Sequence, residues 1–229
     1  MTPPLPPGQR ERPDFPRFGI SKFANRFPDP AAGREIRVTG EVERELALPD
    51  PLAGLPRVEQ VSDFHCVTTW SRRGLHWGGV RFADFYRQVV EPRARPRAEA
   101  TFVYLRGQDG ARTVLLLEDL LAPDVLLADT LDQAALTVEH GAPLRLVVPS
   151  QYGYKSMKHL SRLEFHRDES AFRPSAFRFM DHLRARVARE ERGRGAPGWL
   201  LRYLYRPLVA PTVARFSSAM RARRALHPD

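Results

Sequence analysis

The stretch DFHCVTTWSRRGLHW, residues 63–77, holds the only cysteine of a 229-residue chain, Cys66, with His65 immediately before it. A thiolate can attack an electrophile, or it can hold a transition metal as a soft ligand. Attack needs a base, and His65 is poorly placed for that unless the backbone turns, because neighbours on a strand point to opposite faces. Metal binding through an organic cofactor asks for few further metal ligands. A phosphate on that cofactor asks for cations, hydroxyls and backbone N–H groups. The stretch HGAPLRLVVPSQYGYKSMKHL, residues 140–160, offers that inventory as His140, Arg145, Lys155, Ser156 and Lys158. Singly, each has a structural reading as a turn histidine, an edge charge or a solvated loop, and Cys66 as a small buried hydrophobe. Their combination with a solitary cysteine favours a cofactor site.

Competing chemistries lose support because their motifs are missing. The chain has no G-x-x-x-x-G-K-[ST] loop, no G-x-G-x-x-G opening a helix, no G-x-S-x-G elbow and no H-E-x-x-H. One cysteine permits neither an internal disulfide nor a Cys-rich zinc site.

The elements that must position these residues read as an α+β chain in three parts: a proline-rich extended arm over residues 1–34, a sheet-rich body over 35–168, and a basic helical extension over 169–229. EIRVTGEV predicts a strand through Ile36 and Val38, bent at Gly40 before Val42. RFADFYRQVV predicts a short helix burying Phe82, Phe85, Tyr86 and Val89. TFVYLRGQDGARTVLLL predicts a hairpin turning at Gly-Gln-Asp-Gly. EDLLAPDVLLADTLD reads as a helical turn, a turn at Pro123 and an apolar segment, and residues 143–165 as strand, glycine-containing loop and strand. From Ser175 the three-and-four spacing of Phe177, Met180, Leu183 and Val187 predicts a helix. Gly193 to Gly198 breaks it before a second helical region with Trp199, Leu200, Tyr203 and Leu204.

The net charge is +9 and the pI about 10.4. From Arg167 onward there are 14 Arg and no Lys against six Asp and Glu, so the basicity belongs to the extension. Such a tail suits an acidic partner or a phospholipid surface, and nucleic acid is not the expected partner. The three lysines of the chain are Lys22, Lys155 and Lys158, two of them within YKSMK. The amino-terminal stretch carries prolines and charges where a signal peptide needs an apolar run, so a cytoplasmic location is expected. No apolar stretch reaches the roughly 20 residues of a membrane span.

DFHCVTTWS together with HGAPLRLVVPSQYGYKSMKHLSRLEF resembles the sulfite oxidase family of molybdopterin enzymes, over about Phe18 to Phe165. The resemblance is closest to short bacterial sulfite oxidase-like oxidoreductases, a group that includes the catalytic subunit of the periplasmic methionine sulfoxide reductase. It implies a mixed β-sheet domain binding Mo-molybdopterin, with Cys66 as the molybdenum ligand and catalytic residue. His65, His140, Arg145, Lys155, Ser156, Met157 through its backbone, and Lys158 are implied to hold the pterin and its phosphate. Oxygen-atom transfer is implied, between the Mo centre and a small-molecule oxo donor or acceptor, with electrons passing to or from a separate haem or other redox protein.

The chain departs from relatives at Asp109-Gly110-Ala111 and at LDQAAL, which are turn positions. FGISKFANRF has no clear match to the amino-terminal contacts of the methionine sulfoxide reductase. Arg72, Arg73, His76 and Trp77 follow the cysteine closely enough to line a substrate pocket, where arginines would favour an anion such as sulfite. The alternative is a catalytically degenerate binding protein that uses its basic tail on an anionic membrane surface or an acidic partner.

Overall fold

A computed structural model describes residues 4–226; residues 1–3 and 227–229, His227 among them, lie outside the described residues. Two sheets form the body. In the first, β1 (Arg10–Glu11), β5 (Trp70–Arg81), β8 (Leu126–Leu131) and β10 (Arg145–Val147) follow one another, with β4 (Arg57–His65) paired to β5 and β9 (Ala134–Ala135) to β8. The second runs β3 (Leu46–Leu48), β2 (Ile36–Gly40), β11 (Leu160–His166), β6 (Phe102–Gly107), β7 (Arg112–Leu116). Both sheets are mixed: β1 is parallel to β5 and β11 to β2, and the remaining pairs are antiparallel.

One core joins the sheets. Ile36, Val38, Val103, Leu105, Leu115, Leu163 and Phe165 from the second sheet pack with Val80, Leu127 and Leu146 from the first and with Leu144 just before β10. Each fully buried side chain of this kind contributes roughly 1.5–3 kcal/mol. The predicted helix after β5 is present as α1 (Phe82–Phe85), a π-helical turn at Tyr86–Val90 and α2 (Glu91–Ala94); it buries Phe82, Phe85 and Tyr86 as its spacing requires, but the π turn shifts the stripe by one residue, so that Val90 is buried and the expected Val89 only half-buried. β6 and β7 form the predicted hairpin. At Gly40 the bend is real: φ is +92°, and a Cβ there would press on the backbone of Phe165.

The extension differs from its prediction in one part. After α3 (Leu117–Leu120) the next α-helix is α4 (Gly198–Tyr205), joined through a 3-10 turn at Arg206–Leu208 to α5 (Val209–Leu226). The helix expected from Ser175 is replaced by an irregular strap with two 3-10 turns, Arg178–Met180 and Val187–Arg189. Beyond those turns its backbone bonds the body: Tyr152 N–H donates to the Ala185 carbonyl and Val187 N–H to the Ser150 carbonyl. Phe177, the first residue of that three-and-four spacing, is 73 % exposed. Side-chain anchors to distant partners, Asp181 on Lys155 and Arg184 on Asp119, outweigh the local periodicity.

Candidate functional site

Cys66 begins the tight turn between β4 and β5, the two longest strands. Its N–H donates to the Trp70 carbonyl at 2.8 Å, and Thr69 N–H donates to the Cys66 carbonyl at 3.1 Å. Thr69 has φ of +82°, which costs a β-branched residue roughly 1–3 kcal/mol and is characteristic of functional turns. The thiol is buried, and that burial pushes its pKa up, while the Thr68 hydroxyl 3.1 Å from Sγ opposes the shift.

His65 has a different occupation. Its Nδ1 lies 2.8 Å from Ser71 Oγ, Ser71 donates to Gln9 Oε1 at 3.0 Å, and Gln9 Nε2 donates to the Cys66 carbonyl at 3.1 Å. The imidazole thus braces the turn from behind, through the arm. The strap braces it too: Arg192, fully buried, donates to the Val67 carbonyl at 2.6 Å and to the Pro7 carbonyl at 3.1 Å.

The second group gathers around β10. Gly141, at φ +110°, lets the chain pass so closely that a Cβ there would stand 3.1 Å from Arg145 Cβ and 3.2 Å from the Lys158 side chain. Arg145 is fully buried over the Trp77 ring at 4.8 Å, donates to the His140 carbonyl at 2.8 Å, and forms no ion pair among the described residues. Burial pushes its pKa down to about 9. Lys158 donates to the Glu139 carbonyl at 2.6 Å and likewise lacks a carboxylate partner; burial, then the charges of Arg145 and Arg17, push it down to about 7. His140 is held neutral, with a pKa of about 4, by burial and by Lys158, and it stacks on Phe15 at 4.8 Å.

The other residues of the loop point elsewhere. Lys155 Nζ is bound to Asp181 at 3.1 Å and to the Val114 carbonyl at 2.8 Å, so its charge is spent on the strap. Ser156 Oγ accepts from Val148 N–H at 3.0 Å. Met157 sits in the core, and its N–H donates to the Lys155 carbonyl. Of the four residues read as a pocket lining, Trp77 lies under Arg145, Arg72 is half-buried on β5 opposite Phe64, Arg73 is 3.5 Å from Glu11 and His76 is exposed.

An aromatic wall connects the two groups. The Phe15 ring stands 4.8 Å from His140, 5.0 Å from Phe64, 6.3 Å from Trp70 and 6.1 Å from Trp77. Gly153 lies so close to the Phe64 ring that a Cβ would collide with it. Along this wall the N–H groups of Trp70 and Trp77 and Nδ1 of His140 are buried without a hydrogen-bond partner. Residue spacing alone did not disclose Arg17, Phe15 or Tyr152. Arg17 is buried in the arm, bonded to the carbonyls of Ala24 and Arg26 at 2.6 and 2.7 Å. It too has no carboxylate in contact. The buried Tyr152 hydroxyl makes no well-formed hydrogen bond, though the Gln9 side chain approaches it; it lies near enough to Cys66 to feel its charge, and is pushed up to about 12, chiefly by burial.

The profile of an oxidoreductase molybdopterin binding domain matches residues 26–173, more than half of the chain. The chain belongs to this family. Such membership makes it a molybdenum cofactor-dependent oxidoreductase. The uncharacterized oxidoreductase YuiH of Bacillus subtilis is 35% identical over 70% of this chain and 78% of its own length. The protein-methionine-sulfoxide reductase catalytic subunit MsrP of Campylobacter jejuni is 29% identical over 67% of this chain, which spans 58% of that subunit. Among solved structures, the sulfane dehydrogenase SoxCD of Paracoccus pantotrophus superposes with a TM-score of 0.51 at 23% identity, over 59% of this chain and 39% of that one. This likeness shows the sulfite oxidase-type fold.

The residues present suit the family's cofactor. Buried Arg145 and Arg17 and half-buried Lys158, none with a carboxylate in contact, match the charge of a phosphate. Unpartnered N–H and O–H groups match a heterocycle rich in polar atoms. Among the described residues no three His, Cys, Asp or Glu side chains converge, so a metal at Cys66 needs ligands brought by the cofactor.

Proposed function

We propose that this chain carries out oxygen-atom transfer at a molybdenum centre ligated by Cys66, and exchanges electrons with a separate redox protein. The observation that carries the reading is Arg145: a fully buried guanidinium with no carboxylate in contact, in the same aromatic-walled site as the only thiol. Left without an anion, such a charge is costly, and a bound phosphate offsets that cost.

The roles follow from position. Arg145 and Lys158 would hold the phosphate, with Arg17 closing the site from the arm. Trp70, Trp77 and His140 would donate or accept along the pterin. Ser156 and Met157 shape the loop, and Lys155 anchors that loop to the strap through Asp181. Cys66 must give up its proton to ligate a metal, a cost raised by its burial and lowered by the charges of Arg192 and Lys158. When bound, the cofactor supplies a two-electron redox centre that accepts or donates oxygen. Tyr152 keeps its proton at neutral pH and so can donate a hydrogen bond to an oxygen held near Cys66.

The deciding measurement is molybdenum and pterin content of wild type and Cys66→Ser, both purified from a host that makes the cofactor, followed by assays with sulfite and with methionine sulfoxide. Near-stoichiometric Mo in the wild type, with a weakened or spectroscopically altered centre in the variant, is expected. Absence of Mo from a folded wild type made in a competent host would overturn the reading.

A further inference from the structure

Helix α4 turns an apolar face outward. Leu201 and Tyr205 pack inward, whereas Trp199, Leu200, Tyr203 and Leu204, spaced i, i+1, i+4 and i+5, share the opposite face. Trp199 is 55 % exposed and Leu204 61 %, and the stripe continues at exposed Leu208. Beside it the strap carries exposed Phe177 and Phe179, rings stacked at 5.9 Å, tied to the segment before α4 by Arg194 N–H donating to the Phe179 carbonyl. An apolar run of this size on a folded surface marks a contact.

The charge says which contact. Residues 198–226 contain six Arg and not one Asp or Glu. Arg202 and Arg206 flank the stripe, 5.3 and 5.9 Å from the Tyr203 ring. Arg206, Arg215, Arg221 and Arg223 form no ion pair among the described residues, while Arg202 and Arg224 reach Glu190 and Glu139. Apolar and aromatic side chains on one face, with arginines at its margins, are the features of a helix lying in the plane of an anionic bilayer. A second copy on the same face would bring like charges together. No helix among the described residues is long and apolar enough to cross a membrane, so the contact is peripheral.

We propose that α4, with Leu208 and the Phe177–Phe179 strap, docks the protein on an anionic phospholipid surface. This goes beyond the cofactor chemistry and stands or falls without it. Trp199 supplies the readout, because the other two tryptophans, Trp70 and Trp77, are buried. The intact protein is mixed with vesicles of phosphatidylcholine alone or with added phosphatidylglycerol, and sedimentation and tryptophan emission are followed. Binding to the anionic vesicles only, a blue shift of emission and release by high salt are expected. Trp199→Ser with Leu204→Ser, both on exposed positions, should weaken binding about tenfold or more, and Arg206→Glu by at least about fivefold.

Failure to bind anionic vesicles, or binding that the paired serine variant leaves unchanged, would overturn the proposal. So would a wild-type dimer dispersed by those serines, which makes the face a self-contact. Polyglutamate captured as tightly as vesicles, with no loss in the serine variant, would instead assign the arginines to an acidic protein and also overturn it.

Discussion

Lys158 and Lys155 look equivalent in YKSMK, yet the fold gives them opposite tasks, one facing the site and one neutralised by Asp181. The difference is testable through pH. Burial depresses Lys158 from its ordinary 10.5 to about 7, so between those values the unfolded chain binds more protons than the folded one. Cofactor-free protein should therefore gain thermal stability as pH rises from about 7 toward 10, and Lys158→Met should flatten that rise. An anion beside Lys158 raises its folded pKa, so the loaded protein should show a shallower slope. Melting curves of both forms across this range check the expectation, and identical slopes would mean that no anion reaches Lys158. Cys66 and His140 were legible in the sequence because each is a scarce type in a recognisable setting, and Arg145 because it follows His140 in the same stretch. Tyr152 and Arg17 were not, since their distinction is a missing partner, which only three dimensions reveal.

The hairpin of β4 and β5 is the element that presents Cys66, and its turn is held by Gln9 from the arm and Arg192 from the strap. Arg192→Ala should cost about 2–4 kcal/mol, because it strips the bond from the Val67 carbonyl and leaves the mostly buried Glu190 with only Arg202, at 3.7 Å. Chemical denaturation measures the loss, and reactivity of Cys66 toward a thiol reagent in the cofactor-free protein should rise with it. A variant as stable and as unreactive as wild type would show the turn to be self-supporting. Elements whose periodicity agrees with their packing were readable: β2, the β6–β7 hairpin and the helix at 82–94. The strap was not. Its three-and-four spacing is a by-product of side chains that alternate between anchors on the body and solvent, with Ala185 and Val187 buried against Tyr152 and Phe177 outside.

At the scale of the whole molecule, the arm and α5 are packed on each other. Phe216 and Ala219 cluster with Ala24 and Phe27, the Arg17 guanidinium lies 4.4 Å from the Phe27 ring and 5.1 Å from Phe216, and Arg215 donates to the Ser21 carbonyl. Phe216→Ala should cost about 3–5 kcal/mol. It should also raise hydrogen exchange in residues 17–27 and loosen Arg17, lowering cofactor retention while leaving exchange in β10 unchanged. Exchange that rises only within α5 would separate the two ends. This pairing was hidden from any local reading of the chain, because the contact spans 194 residues.

That separation has a consequence for how the enzyme matures. Closing a loop of this length is entropically the last step to be rewarded, so the two ends should meet only after the sheets have formed. Phe15 and Arg17 lie between β1 and the residues that meet α5, so they are fully fixed only when that contact closes. A folded body with its ends still apart would leave the side covered by Phe15 and Arg17 open, so cofactor should enter more readily before the arm is fastened. Once fastened, the arm should make release slow, so that cofactor, once installed, is retained for the working life of the protein.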